Sequence, residues 1–297
     1  LVRWQDSLPM TLREGRILME KLFENGTLTL KEAGVQKLAE EKEANSGKPV
    51  IKLKNLYFRY AKNADDVLRG LNLEIEEGKL HCLLGGNGSG KSTTLKAICE
   101  IIKPQSGKVK IADNCRAAMV PQNPQALFTE ISCEEEVLEG MCYQKLEIEE
   151  KVQRTEDMLK LMEIEHLRKA NPYDLSGGEQ QRLALAKVMV SNPDILLLDE
   201  PTKGLDPFFK QTLGRILRSL CKENKTIFMV SHDIEFCAEF GDRCSMFFDG
   251  EIATSGSAKE FFSGNNFYTT VENKLTRKWC EGIITGEEAR TWIRSLL

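Results

Sequence analysis

Histidine is scarce in this sequence, three in 297 residues, and none of the nine cysteines stands in a Cys-x-x-Cys pair. The spacings that hold zinc are therefore missing. The cysteines are placed singly, several in apolar stretches such as those around Cys82 and Cys99, where a reduced thiol packs as a small hydrophobe; a reducing compartment is the expectation. No apolar run is longer than that of Ile195 to Leu198, against roughly 20 residues for a membrane-spanning helix. Any membrane role must pass through a partner. Positive charge is not in surplus either: 41 Lys and Arg stand against 45 Asp and Glu. That balance excludes blanket neutralisation of a phosphate backbone, and no nucleic-acid partner is expected.

What is present is a chain that is 41% hydrophobic, enough for one large core plus a smaller unit. The opening Leu1-Val2-Arg3-Trp4 has neither an initiator Met nor a signal-peptide pattern and reads as the cut end of a longer cytoplasmic chain. Residues 1–48 read as helix, turn and helix, closing in the charged, linker-like stretch Glu40 to Lys48. From Val50 the character changes. Val50 to Leu56 and Leu71 to Ile75 alternate apolar and polar residues as strands do, and Leu80 to Leu84 is a short apolar run. Ser92 to Ile102 has apolar residues at helical spacing and stops before Pro104. Ser132 to Asn192 is almost wholly helical in pattern, followed by a strand at Ile195 to Leu198, a helix at Phe208 to Glu223 and a strand at Thr226 to Val230. The expectation is an α/β core with a helical subdomain inserted at about 123–192.

The two ends also resemble each other. Met10-Thr11-Leu12-Arg13-Glu14-Gly15-Arg16 lines up with Ile284-Thr285-Gly286-Glu287-Glu288-Ala289-Arg290. Chance is one account of so short a match; the other is that residues 1–48 are the tail of a preceding copy plus a linker, and that the native protein is a tandem.

The chemistry begins at Gly85-Gly86-Asn87-Gly88-Ser89-Gly90-Lys91-Ser92, which fits G-x-x-x-x-G-K-[ST] between a predicted strand and a predicted helix. Its glycines let successive backbone N–H groups converge on phosphate oxygens, and the following helix aims the positive end of its dipole there. Lys91 should reach the β- and γ-phosphates and Ser92 should ligate Mg²⁺. Downstream, Ile195 to Leu198 runs into Asp199 and Glu200, two carboxylates at a strand end, where open α/β sheets place their sites. Asp199 is expected to hold Mg²⁺ through its water shell and Glu200 to polarise an attacking water. The segment Leu175-Ser176-Gly177-Gly178-Glu179-Gln180 opens a further helix and makes a second anion-binding N-terminus, for which one domain has little need.

These three elements together make residues 50–255 resemble an ABC ATPase, in which the signature of one domain closes on the ATP held by another. The resemblance implies a P-loop NTPase core, a RecA-like mixed sheet with an antiparallel β subdomain, carrying the helical signature subdomain within residues 49–255. It implies ATP and Mg²⁺ as ligands. It makes Gln122 the residue that links the core to the helical insert and touches Mg²⁺ beside Ser92 and Asp199, and His232 the switch histidine that steadies Glu200. The catalytic set is then Glu200, His232, Gln122 and Lys91. The nucleotide set is Tyr60, Gly85, Asn87, Gly88, Ser89, Gly90, Lys91, Ser92 and Thr93, with Ser176, Gly177 and Gly178 meeting the partner's γ-phosphate. Tyr60 is taken as the ring stacked on adenine, with Tyr57 as its rival, and Asp206 is placed along the dimer seam. Gly86 and Lys203 depart from the family pattern, which has a proline and a small residue there.

Residues 256–297, with Phe261 to Thr270 and the helix after them, are similar to the C-terminal extension of ATPases of energy-coupling factor importers, which take up vitamins and transition-metal ions in prokaryotes. That likeness implies a second ATPase domain in the same chain, a homodimer or a heterodimer, together with an integral membrane coupling subunit and a substrate-capture subunit. It places the protein peripherally on the cytoplasmic face of the cell membrane. The alternative is a soluble, non-transport ABC ATPase acting in translation or repair.

Overall fold

The computed structural model describes residues 11–28, 47–265 and 268–296. The second helix expected before residue 48, most of the linker stretch, and Met10, Asn266 and Phe267 of the end motifs lie outside them. Two sheets form the body. Strands β1 (Pro49–Phe58), β2 (Leu68–Glu76) and β4 (Ser106–Ile111) make an antiparallel sheet in the order β2-β1-β4. The larger sheet contains β3 (Leu80–Leu84), β5 (Ala117–Val120), β6 (Ile195–Asp199), β7 (Thr226–Val230), β8 (Arg243–Phe248) and β9 (Glu251–Ser257). Its order is β5-β6-β7-β3-β8-β9, parallel except for β9.

Strands β3, β6 and β7 are buried at every residue, as parallel strands covered on both faces must be. Their side chains divide by alternation. Leu196, Leu198, Ile227 and Met229 pack into one apolar cluster with α5 (Gly177–Met189), α6 (Pro207–Lys222) and α7 (Ile234–Phe240). Ile195, Leu197, Phe228 and Val230 face the other way, toward α2 (Lys91–Ile98) and the antiparallel sheet. Period-two burial thus makes one sheet the floor of two cores.

Helix α2 ends short of the expected Ile102. Glu100 takes φ 57° and the Ile101 amide closes back on the Lys96 carbonyl at 2.9 Å, a left-handed stop that outweighs the apolar spacing of Ile98 and Ile102. The helical stretch between β5 and β6 is broken into α3 (Cys133–Glu139), α4 (Ile148–Leu161) and α5, with two short 3-10 turns between α4 and α5.

At the ends, α1 (Leu12–Glu24) lies with α9 (Val271–Thr276) and α10 (Gly286–Leu296), beyond α8 (Ala258–Gly264). Met19, Leu28 and Leu296 are buried together against Phe23, Trp279 and Trp292, and the Phe23 and Trp279 rings stack at 5.0 Å. Thr11 and Glu14 cap α1 reciprocally. Thr285 and Glu288 do the same for α10: the Glu288 amide donates to Thr285 Oγ1 at 3.2 Å and the Thr285 amide to Glu288 Oε2 at 3.1 Å. Both members of the end-to-end repeat are therefore threonine-capped helices, and they share one small core.

Candidate active site

The C-terminal ends of β3, β6 and β7 lie side by side on one edge of the large sheet, so the loops leaving them share a rim. The loop after β3 is built around close approach. A Cβ on Gly85 would sit 2.5 Å from the Phe247 carbonyl oxygen, and one on Gly90, at φ 117°, would meet Val67 at 2.9 Å. Side chains at these two positions are excluded by contact. Gly86 and Gly88 face open space. Lys91, nearly buried, donates to the carbonyls of Gly85 at 2.9 Å and Gly86 at 2.8 Å. Burial holds its ammonium below the usual lysine range, with the charges of Glu200 and Asp199 pulling it back up.

Ser92 Oγ donates to Asp199 Oδ1 at 3.0 Å, joining the loop to the end of β6. Burial pushes the Asp199 carboxyl above its usual range; the Ser92 hydroxyl works against the rise and Glu200 adds to it. Glu200 sits at φ 54°, left-handed and unusual for a residue with a long side chain. Its amide is fixed by the Val230 carbonyl at 2.9 Å. Glu200 Oε2 accepts from the His232 amide at 3.2 Å and lies 2.6 Å from His232 Nδ1. The carboxylate is buried, whereas the imidazole is 62% exposed and faces outward from the rim.

The arrangement fits a Mg-nucleotide. Ser89 Oγ is buried without a partner among the described residues, a hydroxyl placed to meet a phosphate oxygen in a loop whose open glycines leave backbone amides available. Ser92 and Asp199 form an all-oxygen donor pair suited to Mg²⁺, and a cation there would relieve the raised Asp199 carboxyl.

The expected residues fall into three groups. Ser92 bonds Asp199, Glu200 bonds His232, and Lys91 feels the charges of both carboxylates. Tyr60 is 60% exposed and its hydroxyl lies 3.0 Å from Thr93 Oγ1 at the start of α2, whereas the Tyr57 hydroxyl lies over Gly70 on β2; Tyr60 is the ring beside the loop. Gln122 is exposed just past β5, whose neighbour in the sheet is β6. The third group stands apart: Ser176 and Gly177 are exposed at the N-terminus of α5. Ser176 is held in a capping box with Glu179. Hydrogen bonds from Ser176, through its hydroxyl and its amide, keep the Glu179 carboxyl below its usual range.

Three supports were not legible in the motifs. A Cβ on Gly178 would lie 2.8 Å from the Gly204 carbonyl oxygen, so the signature helix rests on the backbone of the loop that follows Glu200. Asp206 caps α6 through the Phe209 amide at 2.9 Å and pairs with Arg182 at 2.6 Å. Behind His232, Asp233 pairs with Lys210 at 2.7 Å; burial acts to raise this carboxyl, and the Lys210 bond prevails and holds it low. The Gly178–Gly204, Arg182–Asp206 and Lys210–Asp233 contacts each join residues far apart in sequence.

Residues 68–203 match the family described as ABC transporter. An ABC transporter ATP-binding protein of Bacillus cereus is 39% identical over 292 residues, 95% of this chain and 51% of that protein. The chain thus spans about half the length of the first curated relatives it matches. The energy-coupling factor transporter ATP-binding protein EcfA1 of Ligilactobacillus salivarius is 32% identical over 269 residues, 82% of this chain and 95% of that protein. Among solved structures, cbiO1 from Clostridium perfringens, described as part of the ABC transporter complex cbiONQ, has a TM-score of 0.65 at 31% identity, covering 78% of this chain and 96% of that one.

Proposed function

Because the chain belongs to the ABC transporter ATPases, a family of Mg-dependent ATP hydrolases, we propose that it powers an energy-coupling factor importer of a vitamin or transition-metal ion. The observation that carries the chemistry is the Glu200–His232 pair, poised beside Lys91, Ser92 and Asp199. In this reading Glu200 orients and polarises the attacking water, and His232 fixes the carboxylate and faces the γ-phosphate. Lys91 and the amides of the Gly85–Gly90 loop hold the phosphates, and Tyr60 stacks on adenine. Ser92, Asp199 and Gln122 would hold Mg²⁺, which would supply neutralisation of phosphate charge. Ser176, Gly177 and Gly178 serve the nucleotide of a partner cassette, which suits the exposure of Ser176 and Gly177 at the start of α5.

The importer reading is supported by the likeness to EcfA1 and cbiO1 over most of their lengths. Among the described residues no helix is long and apolar enough to cross a membrane, which fits a subunit seated peripherally on the cytoplasmic face under separate coupling and substrate-capture subunits. Residues 49–255 form the cassette and 256–297 its extension. In this reading the partner cassette precedes this one in the same chain, which is supported by the reciprocal Thr11–Glu14 and Thr285–Glu288 caps that liken α1 to α10.

Mass spectrometry of what co-purifies with the tagged, full-length gene product from native membranes tests this reading. Multi-helix membrane proteins at near-equal stoichiometry are expected. Ribosomes or other soluble partners in their place would move the motor to translation or repair.

A further inference from the structure

Between Gln122 and α3 the chain forms one 3-10 turn, Pro124–Leu127, and is otherwise irregular, and such connecting backbone is normally free to move. Here it is bolted down. Glu136 on α3 is fully buried. One of its carboxylate oxygens accepts from the amides of Thr129 at 2.6 Å and Glu130 at 2.7 Å; the other accepts from Lys187 Nζ at 2.5 Å. Lys187, 9% exposed, also donates to the Leu127 carbonyl at 2.7 Å and to Thr129 Oγ1 at 3.3 Å, and pairs with the Glu139 carboxylate at 3.0 Å. Gln125 adds a further tie, donating to Gln180 at 3.3 Å. Lys187 and Gln180 both belong to α5, the helix that starts at the signature.

An ion pair serving stability alone is replaceable by apolar side chains. This one is spent on the backbone of Leu127, Thr129 and Glu130, while the next residue, Ile131, is 76% exposed. Held groups inside and a presented side chain outside describe a rigid contact surface. Lys187 lies eleven residues along α5 from Ser176, about 16 Å at a helical rise of 1.5 Å per residue.

We infer that Glu136 and Lys187 are positioning residues that fasten the 127–131 surface to α5, so that a displacement imposed on that surface is delivered to Ser176, Gly177 and Gly178. The inference rests on the importer reading for what does the pushing, a helix of the membrane partner. A rigid helix with a buried charged anchor needs no further intermediary between the two places.

The test uses the double variant Glu136→Met/Lys187→Met, because removing Lys187 alone leaves a buried carboxylate uncompensated and threatens the fold. Hydrogen exchange of the purified chain reads the clamp. In the wild type the Thr129 and Glu130 amides should exchange as slowly as those in the middle of α5, and in the double variant about tenfold faster or more, with α5 unchanged. In the full complex with its membrane subunits, basal turnover and KM for ATP should stay within about twofold while stimulation by the partner falls about fivefold or more.

Unaltered protection of Thr129 and Glu130 in the double variant overturns the clamp. Full stimulation despite lost protection overturns its role. A wild-type complex showing no stimulation strikes the importer reading instead, and exchange then decides the clamp by itself.

Discussion

One residue meets the Glu200 carboxylate twice: His232 approaches the same oxygen with its amide at 3.2 Å and its ring nitrogen at 2.6 Å. Replacing Glu200 with Gln keeps the shape and removes the base. Steady-state ATP turnover is expected to fall about 100-fold or more, with nucleotide binding retained. Turnover equal to wild type in a phosphate-release assay would remove Glu200 from the proposed chemistry.

Tyr60 offers a ring face and a hydroxyl bonded to Thr93. Tyr60→Ala should weaken ATP binding by roughly 1–3 kcal/mol, the worth of one base stacked on one ring. Tyr60→Phe should lose far less. Titration with a fluorescent ATP analogue separates the two, and equal losses would assign the effect to the hydroxyl.

Gly85 has no room for a methyl group beside the Phe247 carbonyl oxygen, 2.5 Å from the Cβ position, and backbone cannot yield as a side-chain tip can. Gly85→Ala should shift the phosphate loop and abolish ATP-dependent thermal stabilisation, whereas Gly86→Ala, which meets nothing within 4 Å, should keep it. Differential scanning fluorimetry with and without Mg-ATP distinguishes them.

His81 gives the fold a dependence on pH that owes nothing to the nucleotide. Burial first, and then the charge of Arg243, push its imidazole from 6.5 down to about 3; its Nε2 lies 2.7 Å from Ser245 Oγ inside the sheet. The unfolded chain binds a proton at this residue below pH 6.5, and the folded chain refuses it until about pH 3. Stability is therefore complete above 6.5 and is lost as pH falls from 6.5 toward 3, by roughly 3–5 kcal/mol across that window. His81→Leu should flatten this part of the profile, since Ser245 retains Ser255 as a partner at 2.8 Å. Urea melts at a series of pH values provide the check.

The phosphate loop and the Asp199–Glu200 pair were legible because each motif fixes its own backbone: glycines where a Cβ collides, and an apolar strand running into carboxylates. Strand β3 matched to the residue for the same reason. The Ile102 end of α2 was misjudged because apolar spacing continues past Glu100, and nothing local in that residue announces a left-handed turn. Strands β8 and β9 were not assigned. The Glu251–Ser257 strand is largely polar and exposed, so it carries neither of the patterns that announce strands. The Gly178–Gly204, Arg182–Asp206 and Lys210–Asp233 contacts were invisible in principle, since each exists only once distant segments have folded together.

The Gly178–Gly204 contact carries a consequence of its own. The chain from Glu200 to Gly204 begins at the residue proposed to polarise the water that attacks this cassette's own ATP and ends against the helix proposed to touch the partner's. In the proposed pair, a change of pose at Glu200 would have a short path through this contact to the opposite nucleotide. Two cassettes built this way would not be two independent engines: each would report its own stroke to the other, and their firing would be timed as a pair.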